Sequence, residues 1–199
     1  MLTPKQQRTK RVFDIVVAVV GLVITWPIIM FAWVAASIET KSNGIFSQER
    51  VGRYGKRFRV YKIKTMRPIE GYDSTVTTSE DKRITKSGAF FRRIKIDELP
   101  QLWNVLKGEM SFVGPRPDVP GFADKLEGED RVILELRPGI TGPASLKYKN
   151  EEELLTRQEE PERYNREVIW PDKVEINKRY LYDWSLKKDI IYLLKTLTS

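Results

Sequence analysis

The sequence predicts an α+β fold, mostly helical, with an N-terminal re-entrant (helix–break–helix) membrane segment and a small cytosolic domain holding a β-hairpin and amphipathic interfacial helices. Three observations carry this. A charge-free run, Ile15 to Ile38, covers 24 residues and contains Pro27. Two strand-like stretches, Ile45–Val51 and Arg57–Thr65, flank the glycine-bearing loop Gly52–Lys56. Beyond them, apolar residues recur mostly at helical spacing. The division falls after residue 40, with residues 1–40 as membrane segment and 41–199 as cytosolic domain.

The apolar run is long enough, at about 1.5 Å per residue, to cross a hydrocarbon core of roughly 30 Å. It is too long for a cleaved signal peptide and lacks a small-residue cleavage site. Pro27 removes one backbone donor and clashes with the carbonyl of Val23, so a kink is expected there. Each half is then 12 residues, about 18 Å, and neither spans alone. Lys5, Arg8, Lys10 and Arg11 precede the run, and Lys41, Arg50, Arg53, Lys56 and Arg57 follow it. Lys and Arg mark the cytoplasmic side, so both ends are read as cytoplasmic. A helix that enters, breaks and returns satisfies this, whereas a kinked single span does not. Thr25 is placed to serve a carbonyl freed at the break. Asp14 is expected at the interface, paired with a nearby Lys or Arg.

The hairpin follows from alternation and its turn. Phe58, Val60, Lys62 and Lys64 share one strand face, where two lysines suit either a phosphate or a solvated edge that resists aggregation. Residues 67–79 read as a loop. Ala89–Ile94 reads as a helix in which Arg92 and Arg93 lie between aromatics, a pattern suited to an anionic membrane surface or to nucleic acid. Glu151–Glu162 reads as a solvated acidic helix. Val174–Leu197 reads as amphipathic, facing either an interface or the core.

Composition removes whole classes of chemistry. The 199 residues include no cysteine and no histidine. Disulfides, thiolate nucleophiles, cysteine-ligated zinc and Ser-His-Asp triads are therefore excluded, and Asp, Glu, Lys, Tyr or a hydroxyl must do any acid–base or nucleophilic work. The net charge of +8 favours polyanionic or phosphorylated partners.

The most informative stretch is Lys95-Ile96-Asp97-Glu98-Leu99-Pro100-Gln101-Leu102-Trp103-Asn104-Val105-Leu106. It reads as a helix with Ile96, Leu99, Leu102, Trp103 and Leu106 on its buried face. Asp97 and Glu98 would point about 100° apart, so one can attack or take a proton while the other holds a metal. Beside arginines, the pair suggests a Mg²⁺-dependent phosphoryl site; a solvated acidic helix start is the alternative. Further on, Pro115 and Pro117 clamp Arg116 in a rigid turn, a preset grip for phosphate or an ordinary exposed turn. Arg137-Pro138-Gly139-Ile140-Thr141-Gly142 is a second rigid loop, whose glycines allow close backbone approach to a ligand.

Taken in order, Arg92–Leu106, Lys107-Gly108-Glu109-Met110-Ser111-Phe112-Val113-Gly114-Pro115-Arg116-Pro117 and Arg137–Gly142 resemble the bacterial sugar transferases, the monotopic polyprenol-phosphate phosphoglycosyltransferases. The basic-then-apolar N-terminus with its mid-run proline matches the smallest members. The resemblance runs from Lys10 to Leu197. It implies transfer of a sugar 1-phosphate from a UDP-sugar to undecaprenyl phosphate, releasing UMP, on the cytoplasmic face of the bacterial inner membrane. It implies Asp97 as the nucleophile of a covalent phosphosugar adduct, Mg²⁺ at Asp97 and Glu98, and Arg92 and Arg116 at phosphates, with Lys62 and Lys64 added as phosphate-binding candidates. Membrane lipids are expected partners and nucleic acid is not. Two departures stand out: Trp26-Pro27 where many small members have Ser-Pro, and Pro143-Ala144-Ser145 after Gly142 where a polar-aromatic continuation is more usual.

Two other readings compete. A non-catalytic, membrane-tethered basic module binding nucleic acid or anionic lipid explains the charge but not the carboxylate pair. A metal-dependent phosphatase on the same lipids would release inorganic phosphate rather than UMP.

Overall fold

A computed structural model describes residues 2–67 and 81–198. The loop expected at 67–79 lies, beyond Arg67, outside the described residues. The chain packs as two compact units, Met1–Val16 with Glu49–Phe58 and Val105–Ser199, and Val17–Gln48 with Arg59–Asn104. The fold is mostly helical α+β with two small two-stranded sheets among the described residues.

The charge-free run lies within α1, Pro4–Thr40, a 37-residue helix containing Pro27. Helical assignment continues through the proline, so the expected division into two separate helices is not seen. One tertiary amide forfeits a single hydrogen bond, and the i→i+4 ladder resumes on either side. By length and composition α1 could cross a membrane, with a window of mean hydropathy 2.6. Ile24, Phe31 and Ile38 are 67%, 70% and 72% exposed, an unusual display of apolar surface.

In the second unit, Ala32 and Ala36 of α1 are fully buried against Ile63 and Phe91. The hairpin forms as expected, with β1 (Ile45–Val51) beside β2 (Arg57–Ile63). Tyr54 and Gly55 in its loop have positive φ, 60° and 76°, which glycine tolerates without penalty. Helix α2, Lys86–Arg93, begins at Thr85, whose hydroxyl accepts from the Gly88 amide at 2.9 Å. It is also fastened to the end of α1, because Ser87 Oγ donates to Glu39 Oε2 at 2.7 Å. Helix α3, Gln101–Lys107, is held on β2 by the fully buried Asn104. Its Nδ2 donates to the Arg59 carbonyl at 2.7 Å and its Oδ1 accepts from the Tyr61 amide at 3.2 Å.

In the first unit, β3 (Ser111–Val113) pairs in parallel with β4 (Gly139–Thr141), Ser111 opposite Gly139 and Val113 opposite Thr141. The glycines of the second rigid loop are explained here. A Cβ on Gly139 or Gly142 would strike the backbone of Gly114, and one on Gly114 would strike the Arg137 carbonyl. The close approach they permit is to the chain's own backbone. Short helices α4 (Pro143–Lys147), α5 (Glu151–Thr156) and α6 (Pro161–Tyr164) follow. The single acidic helix expected at 151–162 is thus two pieces. Helices α7 (Trp170–Tyr182) and α8 (Leu186–Thr198) replace the single C-terminal helix. A core of Val51, Ala123, Leu126, Ile133, Leu134 and Val174 lies under α7.

Buried charge ties the foot of α1 to α8. Lys10 Nζ donates to Asp189 Oδ2 at 2.6 Å, Tyr180 Oη to Oδ1 at 2.6 Å, and Trp184 Nε1 to Oδ2 at 3.0 Å. Asp14 does not sit exposed and paired with a cation. It is fully buried, and its Oδ1 accepts from Ser111 Oγ and the Phe112 amide at 3.0 and 3.1 Å.

Candidate active site

The dyad is not on an α-helix. After α2, Lys95 adopts a left-handed conformation, φ 61° and ψ 17°, and Ile96–Glu98 form a single 3₁₀ turn before α3. The run read as one helix is a turn followed by a helix. Leu99, before Pro100, keeps α-helical angles of φ −55° and ψ −35°, so the break lies at the left-handed Lys95 and not at the proline. Trp103, placed on the buried face by periodicity, is 51% exposed, while Asn104 on the opposite side is fully buried.

The turn separates the two carboxylates. Asp97 is 8% exposed, and its Oδ1 is buried with no hydrogen-bond partner among the described residues. Glu98 faces β2, where its Oε1 accepts from Lys62 Nζ at 2.8 Å. Burial pushes the Asp97 carboxyl above its ordinary range, and Glu98 pushes it further. Lys62, Lys95 and Arg92 pull it back without cancelling the effect. The site therefore holds a carboxylate that disfavours its own charge and cations that only partly support it.

The other expected residues fall in several places. Arg92 is partly buried at the end of α2, among the charges acting on Asp97, with Met66 Sδ 4.0 Å from its Nη1. Lys64 turns away and donates to Ser42 Oγ at 2.8 Å. Arg116 belongs to the first unit, exposed in the extended segment after β3. That segment is pinned to the end of β1, where the Val51 amide donates to the Asp118 carbonyl at 2.9 Å and Arg50 Nη1 to the Pro117 carbonyl at 3.2 Å. Sequence reasoning passed over Asp118, whose carboxyl burial pushes up to about 6 against the pull of Lys173, Arg116 and Arg50. The cluster joins β1, the segment after β3 and α7, and only the spacing of Arg116 from Asp118 hinted at it.

Asp97 and Glu98 suit a hard divalent cation. Two adjacent carboxylates, one with an oxygen that has no donor, match the preference of Mg²⁺ for one or two protein carboxylates completed by phosphate and water. Among the described residues there is no group of three or more His, Cys, Asp or Glu that could hold a metal ion; the pair alone would leave the other positions to phosphate and water.

The sequence model of the bacterial sugar transferases matches residues 5–199. The chain belongs to this family. Among similar proteins of this family is a candidate undecaprenyl-phosphate N-acetylgalactosaminyl 1-phosphate transferase of Bacillus subtilis, 44% identical over 128 residues that cover 64% of this chain and 72% of the relative. The sugar transferase EpsL of the same organism, itself uncharacterized, is 34% identical, covering 94% of this chain and 85% of its own length. The UDP-glucose:undecaprenyl-phosphate glucose-1-phosphate transferase of Escherichia coli K12 is 34% identical over 94% of this chain, but the chain spans only 39% of that protein. The family match thus includes α1 from Lys5 onward, the dyad turn and the C-terminal helices.

Proposed function

We propose that this bacterial sugar transferase is a phosphoglycosyltransferase that moves a sugar 1-phosphate from a UDP-sugar to undecaprenyl phosphate. The products are undecaprenyl diphospho-sugar and UMP, and the reaction opens a glycoconjugate pathway. The observation that carries the reading is Asp97: nearly buried, an oxygen without a donor, beside a glutamate fixed by Lys62. The relatives whose names specify undecaprenyl-phosphate transferase activity support the donor and acceptor classes.

In the proposed route an Asp97 oxygen attacks the sugar-bearing phosphorus. The phosphoanhydride bond breaks and UMP leaves with the bonding pair. A phosphate oxygen of the lipid then attacks the same phosphorus, and Asp97 departs as a carboxylate. Asp97 and Glu98 would hold Mg²⁺, which supplies charge neutralisation at the phosphates. Lys62 keeps Glu98 oriented and adds positive charge near the nucleophile, Arg92 supplies further charge for phosphate, and Arg116 is a separate phosphate-binding candidate. Such transfers depend on positioning and charge more than on elaborate covalent machinery.

In this reading α1 enters the cytoplasmic leaflet of the bacterial inner membrane and turns back at Pro27, supported by basic residues on both flanks. Helix α8 lies on the lipid surface, where exposed Ile190, Ile191, Leu194 and Leu197 meet acyl chains and its lysines meet headgroups. Residues 1–40 then form the membrane segment and 41–199 the catalytic domain.

The test is incubation with undecaprenyl phosphate, Mg²⁺ and a panel of UDP-sugars. One sugar should release UMP, and labelled sugar phosphate should be trapped on wild-type protein when acceptor is withheld. Release of inorganic phosphate without UMP would indicate a phosphatase instead.

A further inference from the structure

The foot of α1 carries a cluster of cations that the transfer reaction does not use. Arg11, Arg53 and Arg137 all belong to the first unit. Among the described residues, none of the three forms an ion pair with a carboxylate. Each is instead fixed by main-chain carbonyls. Arg11 donates to Val105 and Leu106 at 2.6 and 2.7 Å, Arg53 Nε to Glu135 at 2.6 Å, and Arg137 Nε to Gly108 at 2.9 Å. Arg53 is further held by Gln7 Oε1 at 3.1 Å and by the Tyr54 ring, whose centroid is 4.6 Å away. Among the described residues, Nη1 of Arg53 and both Nη atoms of Arg137 make no hydrogen bond.

Between Arg53 and Arg137 lies a small, half-open cleft, lined also by Leu2, Gln7, Lys10, Ser111, Glu135 and Leu136, with a cavity volume of about 10 Å³. Lys10 is already neutralised by Asp189, so two arginines against the one carboxylate of Glu135 set the cleft's sign as positive. Burial, then Arg53 and Arg11, hold the Arg137 guanidinium below its ordinary range, with Asp14 and Tyr54 opposing. Bringing an anion here would relieve that repulsion.

We propose that this cleft is an anion site for a terminal phosphate group, from a lipid headgroup or from free phosphate. The lining is rich in donors, which favours a ligand that only accepts. The cavity volume suits about one oxygen-sized group, so one phosphate oxygen can enter with the rest outside. Guanidiniums already held in place lose little freedom on binding and grip phosphate through paired N–H groups. The site lies just ahead of Ile15, where the proposed membrane reading puts headgroups; the free-phosphate arm does not depend on that reading.

The test uses the full chain in detergent micelles, titrated with inorganic phosphate by calorimetry, and in nanodiscs of phosphatidylcholine with or without phosphatidic acid, read by thermal unfolding. It is run in an Arg116→Ala background, so that loss of phosphate at the proposed reaction centre does not obscure the result. Phosphate should still bind, and Arg53→Gln should weaken it about tenfold, with Arg53→Lys restoring part of the affinity. Stabilisation by phosphatidic acid, lost in Arg53→Gln, assigns the site to a headgroup; binding of inorganic phosphate without that stabilisation assigns it to the free anion. Absence of both, or equal responses in Arg53→Gln and its parent, overturns the proposal. Arg137→Gln repeats the test if it folds; Arg53→Gln decides if it does not.

Discussion

Asp97 and Asp189 are both removed from water, at 8% and 0% exposure, yet their surroundings differ. Asp189 meets an ammonium, a phenol and an indole N–H, so every nearby donor supports its charge. Asp97 has an oxygen with no donor and a second carboxylate next to it. Buried charge with full pairing serves architecture, because removing either partner strands the other. Buried charge left partly unsatisfied costs stability and persists where chemistry needs it. The contrast separates a carboxylate that holds two elements together from one kept ready for a cation and a phosphorus atom.

The largest expected effect breaks the reactive side of this pair. Asp97→Asn should lower transfer by about 1,000-fold or more, with loss of the trapped adduct, while thermal unfolding shows no destabilisation. Wild-type turnover should rise with pH as Asp97 ionises, with its midpoint above the ordinary value of 3.8. Glu98→Gln should move that midpoint down, because the like charge is gone.

Asp189→Ala probes the architectural side. It strands the Lys10 ammonium, and denaturant unfolding should show a loss of about 3–5 kcal/mol. Activity per folded molecule should change far less than in Asp97→Asn.

Asp118 lies between the two cases, half-buried and drawn back by three cations. Its folded pKa is raised, so its protonated form favours folding. That contribution is complete below 3.8 and lost as pH rises through about 6. Asp118→Asn should therefore match wild type in stability at low pH and exceed it near neutrality, by at most about 3 kcal/mol. Equal pH profiles of unfolding would count against it. The smallest effect belongs to Thr85→Ala, which removes the cap of α2 and should cost about 1 kcal/mol in thermal stability.

What the sequence revealed follows from the range of each signal. The hairpin, the apolar run, the carboxylate pair and the clamped Arg116 depend on neighbours in the chain, and all were readable there. The dyad's turn escapes apolar spacing because its break is the left-handed Lys95, a residue type that gives no sign of that conformation. At Pro27 helical assignment continues across a local breaker, with the hydrogen-bond ladder resuming on either side. The Lys10–Asp189 pair joins residues 179 positions apart, and the Glu39–Ser87 contact 48; no pattern of spacing encodes such meetings. Lys62 was selected as a phosphate ligand from strand alternation alone, and its meeting with Glu98 needed the fold.

The backbone contact of Gly114 with Gly139 and Gly142 has a bearing on how this scaffold can diversify. Three positions that admit no side chain, together with the buried Thr141 hydroxyl 2.6 Å from that of Thr196, leave the strand pair almost no freedom to drift. Side-chain changes enter this region more readily past the last glycine, at Pro143, Ser145, Leu146 and Lys147, than at the buried Ala144.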